Sequence, residues 1–131
     1  GRAWGDAPHA ARNLRRVLDA GIRVVVGSDA GNIGTLHGPG IFREMTSMAR
    51  AGMSPLEVLR AATVDGAYAL GLGGRVGVIA QGALADLVLL DANPLSDVSN
   101  LSRIHRVIKG GRLVPVPAGS GEPGTGTTQS R

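Results

Sequence analysis

The chain has 131 residues, 43% of them hydrophobic and 2% aromatic, enough for one ordinary core built from aliphatic side chains rather than rings. The absence of cysteine removes disulfides, thiolate metal sites and a Cys nucleophile from consideration. The net charge of +4 comes from 13 Arg and one Lys scattered against 10 acids, with no basic stripe or stacking aromatics, so nucleic acid is not an expected partner. A membrane is not expected either, because no apolar run approaches the ~20 residues that a span needs.

In chain order, Asp6-Ala7-Pro8 followed by HAARNLRRVLDAG predicts a helix, with Pro8 in the first turn, Leu14, Val17 and Leu18 as its apolar stripe and Gly21 as its stop. IRVVVGSD (22–29) is a run of branched aliphatics, the pattern of a strand buried on both faces in a parallel sheet. A Gly-rich loop follows. IFREMTSMARAG then carries Ile41, Met45, Met48 and Ala49 at helical spacing and ends at Gly52. SPLEVLRAATVDGAYALG opens with Ser54 as N-cap, Pro55 at the first position and Glu57 three residues after the cap, a capping box. Its expected apolar face is Leu56, Leu59, Thr63, Ala67 and Leu70, with Gly66 weakening the middle and Gly71 closing it.

From residue 71 the chain changes to Gly-punctuated short strands, which predict a small antiparallel unit. Gly110-Gly111, between IHRVIK and RLV, is the pair expected of a two-residue hairpin turn. Residues 115–131, PVPAGSGEPGTGTTQSR, have a composition that cannot offset ordering entropy, and a disordered tail is the expectation.

Asp29 stands out chemically. In parallel α/β proteins, functional groups sit just past the carboxyl ends of strands, where loops converge on one crevice. A carboxylate there can ligate a divalent cation or take a proton from water. Equally, Asp before Ala-Gly is ordinary turn chemistry, and spacing alone leaves the two readings level. His37 follows eight residues later in the same loop and is the histidine placed to reach a substrate. His9 in a first helical turn and His105 in a strand read as solvent-facing or structural. No HExxH, phosphate-cradling loop or Ser nucleophile elbow is present.

GSDAG, HGPGIFREM, AGMSPLEVLRAAT, GALADLVLLDANPL and IHRVIKGGRLV, taken together over roughly residues 8–114, resemble the C-terminal part of the amidohydrolase superfamily, specifically its imidazolonepropionase-like and prolidase-like metal-dependent hydrolases. The resemblance implies an α/β chain forming the last helix–strand–helix part of a (β/α)8 TIM barrel plus most of a small composite β-sandwich. Residues 1–70 would be the barrel portion, 71–114 the sandwich portion and 115–131 the tail. The 22–29 strand would be the last of the barrel. Asp29 would be both metal-site carboxylate and general base, and His37 a substrate contact. The implied cofactor is a divalent metal, zinc first, as one or two ions. The implied substrate is a small amide, cyclic amide or dipeptide whose C–N bond is hydrolysed by metal-activated water.

The other ligands of the superfamily, a His-x-His pair on the first strand, a Lys or Glu on the fourth and His on the fifth and sixth, have no counterpart in this sequence. The expectation is therefore a piece of a longer protein, missing the N-terminal barrel portion and inactive alone, opening in mid-pattern without Met. A homo-oligomer is compatible with the uncovered apolar strand. The cytoplasm is favoured, with secreted and periplasmic locations open. The competing reading is a non-catalytic α/β interaction module in which Asp29 is a turn residue.

Overall fold

The computed structural model describes residues 8–31 and 37–115. The first helix, α1, runs Pro8–Asp19 and lays Leu14 and Leu18 against the core. It ends as its sequence requires. Gly21 takes φ 71°, its N–H donates to Leu18 O at 2.9 Å, and Ile22 N–H reaches back to Val17 O at 3.1 Å. Those paired bonds are a Schellman motif, open to Gly because the αL conformation costs it nothing.

Residues 22–29, expected as a strand buried on both faces, are instead extended chain without a ladder, because the described residues include no strand to pair with them. Their side chains nevertheless alternate. From Val24 on, Val24 and Val26 are half-buried against the core while Val25 between them is 41% exposed; Ile22, 57% exposed, precedes the alternation. This is the period-two pattern of a strand with one face covered. Residues 32–36 of the following loop lie outside the described residues.

Helix α2, Pro39–Arg50, buries Met45 and Met48 and packs Ile41, Phe42 and Ala49 beside them, the face its spacing predicted. The following helical stretch is two helices rather than the one expected. α3 is Pro55–Ala62 and α4 is Val64–Ala69, divided at Thr63 with φ −126° and ψ −92°. The capping box at the start of α3 is complete: Glu57 N–H donates to Ser54 Oγ at 3.3 Å, and Ser54 N–H to Glu57 Oε2 at 2.7 Å. The expected apolar face needs correction. Leu56 at 57% and Leu70 at 76% are exposed; Ala67 is buried as expected, and Val58 and Ala61 take the core in place of the exposed pair.

The break has a packing partner. Gly77, at φ 76°, approaches so closely that a Cβ there would lie 2.7 Å from Thr63 O. Beyond it, β1 (Leu87–Leu90), β2 (Ile104–Lys109) and β3 (Arg112–Leu113) form an antiparallel sheet in that order, with Leu87 opposite Ile108 and Ile108 opposite Leu113. The β2–β3 turn is the expected Gly110-Gly111 pair, both at positive φ. It is locked by Asp86, which accepts from Lys109 Nζ and from Gly110 N–H at 2.7 Å. Val98, in a 3-10 turn over Val98–Ser102, ties this unit to the helices by joining Met45, Met48, Met53, Val58 and Ala61 in the core. Among the described residues no helix is long and apolar enough to cross a membrane. The tail expected over 115–131 lies, from residue 116 on, outside the described residues.

Two outcomes follow from this packing. Gly77→Ala forces a methyl into Thr63 O and strains the backbone, and should lower stability by about 2 kcal/mol in urea unfolding. An unchanged midpoint would show that the α3–α4 break does not depend on the close approach. The second concerns Asp86, whose carboxyl the Lys109 ammonium and the Gly110 N–H hold below its ordinary value. A lowered folded value means a contribution present above the unfolded carboxyl's pKa and lost as pH falls through the folded one. Asp86→Asn should accordingly melt below the wild type at neutral pH, and the two melting curves should converge on acidification. A gap that persists in acid would contradict this.

Candidate active site

The site must be built from the end of the 22–29 segment. Two backbone bonds tie the segment down, Ile22 N–H to Val17 O at its start and Val26 N–H to Ala61 O at 3.2 Å in its middle. Arg23 adds a third restraint: its Nε lies 3.1 Å from Asp65 Oδ1, and its guanidinium carbon 3.7 Å from the Tyr68 ring centroid. Asp65 and Tyr68 are one turn apart on α4, so a single helix face grips the start of the segment by charge and by cation–π contact.

At the other end, Asp29 is exposed and takes φ 48°, the one non-Gly residue among those described with positive φ. Asp tolerates αL better than most side chains, and such conformations concentrate at functional sites and turns. Gly31 follows at φ 101°, and a Cβ on it would sit 3.5 Å from His37 Nε2. His37, immediately before Gly38 at the N-cap of α2, therefore lays its ring edge on the turn that begins at Asp29. His37 thus stands against Gly31, two residues past Asp29 in the chain.

The other histidines lie elsewhere. His9 is exposed in the first turn of α1, and exposed His105 on β2 pairs with Asp91 at 3.0 Å. No group of three or more His, Cys, Asp or Glu among the described residues comes together as a metal would require. Two concavities lie at the Arg23 end. One of about 720 Å³ and one of about 230 Å³ share Arg23, Arg60 and Asp65, and neither is lined by Asp29 or His37. The Arg23–Asp65–Tyr68 cluster escaped the sequence reading because nothing in the spacing of residues 23 and 65 connects them before the chain folds.

Helices packed on an extended segment, with a carboxylate at its end and a small antiparallel sheet beyond, make an α/β chain that superposes on a solved Xaa-Pro dipeptidase with bound methionine in its active site. The TM-score is 0.73 at 32% identity, covering 82% of this chain and 26% of that one. The chain belongs to the amidohydrolase family, whose sequence profile matches residues 7–114. Imidazolonepropionase of Geobacillus sp. (strain WCH70) is 35% identical over 109 residues, which are 79% of this chain and 25% of the relative. The 5-methylthioadenosine/S-adenosylhomocysteine deaminase of Syntrophobacter fumaroxidans is 32% identical across 86% of this chain and 29% of its own length. The chain spans about a quarter of the length of these relatives.

Proposed function

We propose that this chain is the C-terminal portion of a metal-dependent amidohydrolase that hydrolyses a C–N bond in a small amide, cyclic amide or dipeptide, with Asp29 as its general base. The observation that carries the reading is Asp29 itself, held in αL at the end of a strand-like segment in a chain of the amidohydrolase family. In this reading residues 22–29 close a TIM barrel, residues 1–70 are barrel, 71–114 are part of a composite β-sandwich and 115–131 are a tail. The exposure of Ile22 and Val25 supports it, since apolar surface of this kind calls for neighbours.

The metal is the half of the reading that the described residues do not supply. A catalytic zinc takes about three protein ligands, and no such group forms among them. Asp29 is at most one ligand, and any divalent ion, zinc first and one or two in number, would need the remainder from elsewhere in the complete protein. What Asp29 can do by itself is accept a proton from a water as its oxygen attacks the substrate carbonyl, then return that proton to the departing nitrogen. Its exposure suits this, because a base must reach the water it deprotonates. His37 contributes a hydrogen-bonding ring edge over the same turn and is the proposed substrate contact.

Asp29→Asn is the informative variant, because Asn also tolerates αL and the turn is retained while the base is lost. In the complete protein kcat for C–N hydrolysis should fall on the order of a thousandfold with thermal stability unchanged. A rate within twofold of the wild type would return Asp29 to the role of a turn residue.

A further inference from the structure

The two concavities beside Arg23 share a sill of Arg23, Arg60 and Asp65. We propose that the larger is a binding site for a small organic anion, its phosphate or carboxylate group held by the guanidinium groups of Arg23 and Arg60 and its apolar body laid beside Tyr68. Neither Asp29 nor His37 lines that cleft, and nothing in it depends on the roles assigned to them. Three observations carry it. The first is charge. In the larger cleft Arg23 and Arg60 face one acid, Asp65, a surplus of one positive charge, whereas Glu57 joins the lining of the smaller one and brings its balance to zero. The second is availability. Among the described residues Arg60, in the last turn of α3, makes no ion pair and no side-chain hydrogen bond. Asp65 meets Arg23 at Nε, 3.1 Å away, and Tyr68 covers one face of the guanidinium at 3.7 Å, while no hydrogen bond among the described residues takes its terminal nitrogens. The third is space. The cleft holds about 720 Å³, within the range of small-molecule sites, and Gly73 and Gly74 leave its wall opposite α4 without side chains.

These features select for an oxyanion on an organic body. A guanidinium presents parallel N–H donors that match the oxygens of a carboxylate or phosphate, and a charged acceptor makes such bonds stronger than neutral ones. Asp65 and Tyr68 orient Arg23 before any ligand arrives, which lowers the ordering cost of binding. Arg60, unpaired, supplies the second cation. Beside this charge the cleft is walled by the Tyr68 ring, Val64 and Ala69, surface that gains from an apolar group and offers nothing to a bare ion. Arg23 and Arg60 are both exposed, so water and salt screen them, and binding should weaken as ionic strength rises.

The experiment titrates phenyl phosphate and benzoate into the complete protein by calorimetry, with inorganic phosphate as the bare-ion comparison. At least one organic anion should bind with Kd on the order of 1 mM or tighter, and at least about threefold tighter than inorganic phosphate. Which of the two binds better tells whether the group held is a phosphate or a carboxylate. Arg60→Gln and Arg23→Gln should each weaken that binding about tenfold. Ala69→Glu, which sets a carboxylate on the wall and leaves both arginines in place, should do the same, and it stands in for Arg23→Gln if loss of the Asp65 pair unsettles the fold. Failure of both organic anions to bind, binding that a folded variant of this set leaves unchanged, or inorganic phosphate binding as tightly as the better probe would each overturn the site.

Discussion

The structure depends on one face of one extended segment. Val24 and Val26 sit against Met45, Met48, Met53, Val58 and Ala61, and that contact holds residues 22–29 between α1 and the helices that follow. The covered side brings the end of the segment, and with it Asp29, to the loop that leads into α2. Val25 on the other side, and Ile22 before the alternation begins, are exposed to solvent. Burying a side chain of this kind contributes about 1.5–3 kcal/mol, so an uncovered pair is a standing drive toward a covering partner. In the proposed reading that partner is the rest of a barrel.

Much of the local architecture was legible in the sequence because it is written in short-range chemistry. The stop at Gly21 and the capping box of Ser54 and Glu57 both satisfy helix-end backbone groups with residues within five positions, and both form as expected. The Gly110-Gly111 turn is equally local, since both residues need positive φ and Gly supplies it. The apolar stripe of α2 was legible for a different reason: twelve uninterrupted residues keep one period.

What failed to be legible was non-local. A strand is a pairing, and IRVVV shows its hydrophobicity without showing its neighbours. The division of the helix at Thr63 coincides with the approach of Gly77, fourteen residues away, and no propensity at Thr63 announces it. Within α3 the core takes Val58 and Ala61 rather than Leu56, and past the break Leu70 lies at the surface. The candidate site shows the same split. Asp29 could be found as a carboxylate ending an aliphatic run, and His37 as its neighbour in the loop, whereas the grip of Asp65 and Tyr68 on Arg23 exists only in three dimensions.

On the proposed function, Asp29 belongs to a metal site completed by residues from elsewhere in the complete protein. Reading the coding DNA upstream of Gly1 tests it most directly. The expected result is an open frame continuing upstream, with a His-x-His early in it and two later single histidines. A stop codon followed by a start immediately before Gly1 would contradict it, leaving Asp29 as a turn residue in a module without hydrolytic chemistry.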